Sequence, residues 1–202
     1  NADGTFETEF ALGADAWLWD EFTPALYRLT ATPAGGEAKT VGFGLREIAT
    51  EGTQFVLNGR KIFFRGTLEC CIFPKTGHPP TDVASWKRLL GVARAHGLNT
   101  LRFHSWCPPE AAFVAADEMG MYFHVEAASW PNHSTTLGDG KPVDVWLEEE
   151  TKRILRAYGN HPSFVLMAST NEPGGKKANA YLGAWVARHK AQDTRRLFTS
   201  GG

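Results

Sequence analysis

Hydrophobic and polar positions alternate with a period of two over the first quarter of the chain. Three segments show this pattern: Thr5–Leu12, Tyr27–Ala31 and Val41–Leu45. Such alternation is typical of β-strands that bury one face, and turns rich in proline and glycine separate the segments. A complete β-sandwich needs about seven strands. We therefore expect these strands to be the end of a sandwich and the chain to begin inside a domain.

A hairpin follows at Phe55–Phe64. Asn58-Gly59 stands between two apolar arms, and both central residues of a type I′ turn need positive φ, which asparagine and glycine adopt most easily. The second arm leads into Arg65–Thr67, where we expect the first strand of a new unit.

After Thr67, segments with the hydrophobic period of a helix alternate with short apolar segments typical of strands. The predicted helices are capped by Thr81 or Asp82, opened by Pro108-Pro109, capped by Asp144, and placed at about Ala178–Asp193. The predicted strands between them are Asn99–His104, Met121–Glu126, Ser163–Ser169 and Arg196–Ser200.

Strands that alternate with helices imply a parallel sheet, open or closed. An eight-stranded βα barrel takes about 250 residues, so residues 47–202 suffice for a small open sheet or for about half of a barrel. In a half barrel we expect four apolar side chains to line the interior: Phe64, Leu101, Phe123 and Val165. Leaving such an interior uncovered is costly.

Composition narrows the function. Lys plus Arg is 21 and Asp plus Glu is 22, a net charge of −1, so no nucleic-acid partner or anionic membrane surface is indicated. No apolar run approaches the roughly 20 residues of a membrane span. The 3 cysteines favour neither a disulfide framework nor a zinc site. The 7 Trp, 13 Phe and 4 Tyr suit a deep core or a carbohydrate-binding cleft.

In parallel α/β folds, the carboxyl ends of the strands and the loops after them hold the site. Polar and aromatic residues follow every predicted strand end. They are Glu69 and Cys70, then Arg102, His104 and Trp106, then Glu126 and Trp130, then Asn171 and Glu172.

Eight segments of the chain form an ordered series of motifs: Leu18-Trp19, Leu26-Tyr27, Gly42-Phe43-Gly44-Leu45-Arg46, Phe55–Lys61, Phe64-Arg65-Gly66, Gly97–Arg102, Ala116–Glu126 and Asn160–Glu172. In sequence and in order they resemble glycoside hydrolase family 2, which includes β-galactosidases, β-glucuronidases and β-mannosidases. The resemblance implies an α/β fold: a partial (β/α)8 TIM barrel of about five strands in residues 47–202, preceded by the last strands of an immunoglobulin-like β-sandwich in residues 1–46.

By that resemblance the chain takes part in retaining hydrolysis of a β-glycoside, with a carbohydrate as substrate and no cofactor. Glu172 is the implied general acid/base, and Asn171 is implied to bind the sugar 2-OH. Arg102 is implied to hold the charges of the carboxylates. Glu126 is implied to contact substrate or orient neighbours, with a structural ion pair as the alternative.

Trp106 and Trp130 could each stack on a pyranose ring or pack between loops. His104 is displaced from the family's usual histidine, because Phe103-His104-Ser105-Trp106 stands where better-known members carry Thr-Ser-His-Tyr. A retaining enzyme also needs a second carboxylate. In the family this nucleophile follows the seventh strand, so we expect it outside this segment, in the remaining half of the barrel of the same polypeptide. The segment alone should be inactive.

Two other functions stay open. A metal-dependent hydrolase could use histidines and a carboxylate near the strand ends, namely His78, His104, His124, His133 and Glu126. In that set His124 and Glu126 share a strand face. A non-catalytic carbohydrate-binding or scaffold domain would keep the aromatic rim without turnover.

Overall fold

The computed structural model describes residues 7–130 and 135–201. Its strands are β1 (Tyr27–Ala31), β2 (Lys39–Phe43), β3 (Ile48–Glu51), β4 (Gln54–Leu57), β5 (Arg60–Ile62), β6 (Gly66–Glu69), β7 (Thr100–Phe103), β8 (Tyr122–Glu126), β9 (Phe164–Ala168) and β10 (Leu197–Thr199). Its helices are α1 (Val83–Ala95), α2 (Glu110–Met119), α3 (Pro142–Tyr158) and α4 (Ala178–Gln192).

The first part of the chain forms two small antiparallel sheets. Strands β1 and β2 pair with each other, and β3, β4 and β5 form a second sheet in that order. The predicted hairpin is confirmed, since Asn58 and Gly59 join β4 to β5 with φ of 52° and 74°. The predicted strand Thr5–Leu12 is wrong over residues 7–12, which have no regular structure, and Thr5 lies outside the described residues.

The second part is the predicted α/β unit. Five parallel strands lie in the order β10-β9-β8-β7-β6, so each strand neighbours the next one along the chain. One helix connects each pair of consecutive strands from β6 to β10. The longer loops lie at the carboxyl ends of the strands. This is the strand order of a barrel wall, and the partial βα barrel with preceding β-structure is confirmed.

The helix termini show how local sequence sets these elements. Asp82 accepts a hydrogen bond from the Ser85 N–H at 2.8 Å and caps α1 as predicted. Gly120 ends α2 with φ of 68°. The expectation that Asp144 caps α3 is wrong, because Pro142 begins the helix and Asp144 instead accepts hydrogen bonds from the N–H groups of Gly138 and Gly140.

The parallel sheet buries its helix-facing side in the main core. Leu101, Phe103 and Phe123 pack there with Trp86 of α1 and Phe113 of α2. The expectation that Leu101 and Phe123 line the barrel interior is therefore wrong. The alternate positions on these two strands carry the polar Arg102, His124 and Glu126, which face the inner side and leave the apolar side chains for the helix-facing core. Phe64 and Val165 do lie away from this core, as described next.

A second core closes the amino end of the parallel sheet. Trp19, Leu57 and Phe64 pack there with Tyr122 at the start of β8 and Val165 near the start of β9. The Trp19 indole N–H donates to the Asp117 carbonyl at 2.8 Å. The small β3–β4–β5 sheet thus covers the amino end, which leaves the opposite, carboxyl end for a site.

The preceding β-structure is also tied to β9 through Arg46. Its guanidinium donates to the carbonyl oxygens of Pro162 and Phe164 at 2.9 and 2.8 Å. No helix in the described part of the chain is long and apolar enough to cross a bilayer.

Candidate active site

The strand register places the expected site residues on one face and at one end of the sheet. Arg102 on β7 is opposite His124 on β8, and Glu126 at the end of β8 is opposite Ala168 at the end of β9. Asn171 and Glu172 follow β9. We call the carboxyl ends of β6–β10 with the loops that follow them the carboxyl rim. The rim brings together six of the residues to which the sequence assigned chemistry: Arg102, His104, Glu126, Trp130, Asn171 and Glu172.

Arg102 is the centre of a buried polar network in this rim. Its guanidinium donates to Glu126 Oε1 at 2.6 Å and to Asn171 Oδ1 at 2.8 Å. The second carboxylate oxygen of Glu126 accepts the Ser105 backbone N–H at 2.7 Å. Glu126 is fully buried, so a charged arginine beside it compensates for the desolvation of the carboxylate. This ion pair is the alternative that the sequence left open for Glu126.

The network also sets the orientation of the Asn171 amide. Arginine can only donate, so the atom facing Arg102 is the amide oxygen and the amide nitrogen points elsewhere. Asn171 is 3% exposed, and its Nδ2 has no hydrogen-bond partner among the described residues. A buried donor without a partner is costly. The amide is therefore ready to donate to an oxygen of a ligand.

Glu172 is the exposed carboxylate of the rim. It has a φ of 43°, in the left-handed region that non-glycine residues rarely adopt. Its Oε2 accepts the indole N–H of Trp130 at 2.5 Å. Trp130 is 44% exposed, so both groups face the open side of the rim.

The remaining aromatic candidates occupy different positions. The His104 ring lies edge-on to Trp130, with 4.9 Å between ring centroids, and so belongs to the rim. Trp106 packs against Phe73 and Phe103, and its indole N–H donates to the Glu69 carbonyl. Trp106 thus has the loop-packing role that the sequence left open beside sugar stacking.

Glu69 ends β6 but is directed away from the network. It is paired in register with Phe103, which faces the helices, whereas Leu68 is paired with Arg102. Its carboxylate accepts the Cys71 N–H at 3.1 Å, and partial burial raises its pKa. Glu126 is therefore the buried carboxylate that shares the inner face with Arg102.

His124 lies below the rim on the inner face of β8. Burial, and secondarily the positive charge of Arg102, lower its pKa to about 4, so the imidazole is neutral at pH 7. The described residues contain no group of three or more histidine, cysteine, aspartate or glutamate side chains able to hold a metal ion. His133, one of the expected metal ligands, lies outside the described residues.

The sequence did not indicate two backbone groups of this rim. The Ser105 N–H binds Glu126, and the Ser129 carbonyl accepts hydrogen bonds from the Asn171 N–H and the Thr170 hydroxyl. Ser105 has a φ of 62°, a conformation that no residue-type preference predicts for serine. Glycine or asparagine there would have been a signal.

The chain is similar in sequence to bacterial β-galactosidases. It is 30% identical to a β-galactosidase of Aeromonas hydrophila over 207 aligned positions, which cover 94% of this chain and 20% of that protein. It is 26% identical to a β-galactosidase of Lactococcus lactis over 83% of this chain and 18% of that protein. The chain thus spans about a fifth of the length of these curated relatives. No protein-family model matches it.

Solved structures show the same fold. A β-galacturonidase of glycoside hydrolase family 2 from Eisenbergiella tayi, bound to galacturonate, has a TM-score of 0.82 at 23% identity, over 96% of this chain and 35% of that one. A family 2 member from Bacteroides cellulosilyticus has a TM-score of 0.73 at 23% identity, over 92% of this chain and 25% of that one. The sequence similarity and the ordered motifs support the chain as a segment of glycoside hydrolase family 2, and these solved structures share its fold.

Proposed function

We propose that the carboxyl rim is part of the active site of a retaining β-glycoside hydrolase, with Glu172 as general acid/base. The observation that carries this proposal is the position of Glu172: an exposed carboxylate directly after Asn171, whose amide is fixed by Arg102 at the carboxyl end of a barrel wall. The names of the relatives, which are β-galactosidases, support a β-glycoside as the substrate class.

In this reaction Glu172 acts twice. As a carboxylic acid it gives its proton to the glycosidic oxygen while the bond between that oxygen and C1 breaks and a second carboxylate bonds to C1. As a carboxylate it then takes a proton from water, whose oxygen bonds to C1 and releases the second carboxylate. The exposed position of Glu172 in the open rim leaves it accessible to a substrate.

Asn171 binds the substrate in this proposal, and Arg102 and Glu126 position its amide. The unpartnered Asn171 Nδ2 donates to the sugar 2-OH, a contact that strengthens in the oxocarbenium-like transition state. Arg102 holds the Asn171 oxygen and the Glu126 carboxylate together, so that the amide cannot rotate. His104 and Trp130 provide an aromatic surface next to Glu172 on which the apolar face of a sugar ring can lie.

The nucleophile is proposed to come from the remaining half of the barrel in the same polypeptide. Glu126 is fully buried and already bound by Arg102 and by the Ser105 N–H, while Glu69 faces the helices. Neither is placed to attack C1 opposite Glu172. We therefore expect no turnover from residues 1–202 alone.

We also propose the division into residues 1–46 as the end of an immunoglobulin-like domain and residues 47–202 as the barrel half.

The test is replacement of Glu172 by glutamine in the whole polypeptide that carries this segment. Hydrolysis is measured on p-nitrophenyl β-galactoside, β-glucuronide and β-galacturonide, and on an unactivated disaccharide of the sugar that is cleaved. We expect Glu172→Gln to lower kcat on the disaccharide by roughly a hundredfold or more, because the proton donor is lost. The matched control is Glu51→Gln, which removes an exposed carboxylate of the small β3–β4–β5 sheet.

The exposed Trp130 face would also suit a carbohydrate-binding domain without catalysis. That function predicts sugar binding by the wild type with no hydrolysis of any substrate. Undiminished hydrolysis by Glu172→Gln would instead show that a different group protonates the leaving oxygen.

A further inference from the structure

The loops that follow β8 and β9 are joined on both sides of Glu172. Before it, the Ser129 carbonyl accepts the Asn171 N–H at 3.0 Å and the Thr170 hydroxyl at 2.9 Å. After it, the Leu137 N–H donates to the Gly174 carbonyl at 3.0 Å. The two loops therefore hold a fixed relative position at the carboxyl rim.

Within this joined pair, Trp130 follows Ser129 and Glu172 follows Asn171. Trp130 and Glu172 therefore each follow a residue of the Ser129–Asn171 backbone hydrogen bond. Their side chains are in contact, because the Trp130 indole N–H donates to Glu172 Oε2. The His104 ring lies edge-on to the indole, with 4.9 Å between the ring centroids, and this contact restricts the positions that the indole can adopt.

We propose that Trp130 is a positioning residue for Glu172, fixing the carboxyl group through the indole N–H so that Oε1 carries the proton to the leaving oxygen. This role rests on the proposed function of Glu172 as acid/base. It differs from sugar stacking, because it depends on the indole nitrogen and not on the face of the ring.

The chemistry of the two groups supports this assignment. An indole N–H can only donate, so the oxygen it contacts must be an acceptor both when Glu172 is ionised and when it is protonated. The carbonyl oxygen of a carboxylic acid is a better acceptor than its hydroxyl oxygen, so this contact favours the acid proton on the other oxygen, Oε1. The backbone alone does not secure this geometry, since Glu172 occupies the left-handed region, where a non-glycine residue persists only if its surroundings hold it.

The test uses Trp130→Phe in the whole polypeptide and compares leaving groups. Phenylalanine keeps an aromatic face but removes the donor. For a glycoside with a poor leaving group, such as a methyl or sugar aglycone, kcat/KM should fall by roughly tenfold to a hundredfold, as expected for a lost hydrogen bond to a charged group. For the 2,4-dinitrophenyl glycoside, whose departure needs no proton, kcat/KM should change by about twofold or less.

Two controls separate positioning from other roles. Trp17→Phe makes the same chemical change at a 69% exposed side chain outside the barrel wall, and it should leave both substrates unaffected. In a Glu172→Ala background, Trp130→Phe should add almost nothing, because the indole would act only through the missing carboxylate.

The outcomes are distinct. An equal loss on both kinds of leaving group, or a full additional loss in the Glu172→Ala background, would contradict positioning and indicate that the indole acts only as a contact surface for the sugar. Unchanged kinetics would also contradict it. No hydrolysis by the wild type, or undiminished hydrolysis by Glu172→Ala, would instead overturn the proposed function itself.

Discussion

At the scale of single residues, the carboxyl rim combines a buried, hydrogen-bonded part and an exposed part. Arg102 donates to Glu126 and to the Asn171 amide oxygen in the interior, whereas Glu172 and Trp130 face the open side. A buried network whose members are hydrogen-bonded restricts side-chain rotation. The rim therefore offers a substrate one fixed amide donor and one accessible carboxyl group.

Most of the side chains that lie together at the carboxyl rim could be predicted from residue types, but not all of its contacts. Carboxylates, amides and aromatics after strand ends are visible in a sequence, and parallel strands bring those ends together. Contacts made by backbone atoms cannot be predicted from residue types. The hydrogen bonds of the Ser105 N–H and the Ser129 carbonyl were therefore missed. The sequence also left Trp106 undecided, because packing and stacking demand the same side chain.

His124 predicts a pH dependence of stability at this scale. Its pKa is about 4 in the folded protein against an ordinary value of 6.5, so the unfolded chain binds more protons between these pH values. Stability from keeping His124 neutral is thus fully present above pH 6.5 and is lost as the pH falls toward 4. We expect the wild type to lose more Tm than His124→Leu between pH 7 and pH 5.

Thermal unfolding at both pH values checks this expectation. The matched control is His78→Leu, at an exposed histidine of the loop after β6, which should keep the wild-type pH dependence. Equal losses of Tm in the wild type and in His124→Leu would contradict this expectation, because they would mean that protonation of His124 does not change the stability of the fold.

At the scale of elements, hydrophobic periodicity predicted most of the strands and helices. The ends of those elements in the structure differ from the predicted ends by one or two residues. Three expectations failed where tertiary context decides. Residues 7–12 alternate without forming a strand in the described part of the chain, and Asp144 binds two loop N–H groups because Pro142 can begin the helix one turn earlier. Leu101 and Phe123 were placed on the wrong side, since the polar positions that alternate with them, Arg102 and His124, are the ones that face inward.

Gly120 tests the packing between α2 and the preceding β-structure. It has a φ of 68°, and an added Cβ would lie 2.8 Å from the backbone of Glu21, which cannot move aside easily. Gly120→Ala should therefore destabilise the protein by roughly 2–4 kcal/mol, combining left-handed strain with this clash. Gly97 has a similar φ of 77° at the end of α1 but open space around it.

Gly97→Ala is thus the matched control and should cost only about 1 kcal/mol. Denaturant unfolding of the two variants measures the difference. Equal destabilisation would contradict the close approach of Glu21 to the end of α2.

At the scale of the whole molecule, the five strands form an incomplete wall with its amino end covered and its carboxyl end open. The unpaired strands at the two edges are β6 and β10 in the described sheet. An unpaired edge with apolar neighbours such as the half-exposed Leu68 is a surface that further strands would cover. The account therefore requires a second carboxylate, opposite Glu172, on the part of the barrel that completes this wall.

Azide rescue of Glu172→Ala in the whole polypeptide tests that requirement most directly. The variant is incubated with azide and the 2,4-dinitrophenyl β-glycoside of the sugar that the wild type cleaves, and the anomeric configuration of the glycosyl azide is read by NMR. If Glu172 is the acid/base, the covalent intermediate still forms and azide attacks it, giving the β-glycosyl azide with restored turnover. An α-glycosyl azide would identify Glu172 as the nucleophile, and the absence of rescue in a folded variant would contradict its role in catalysis.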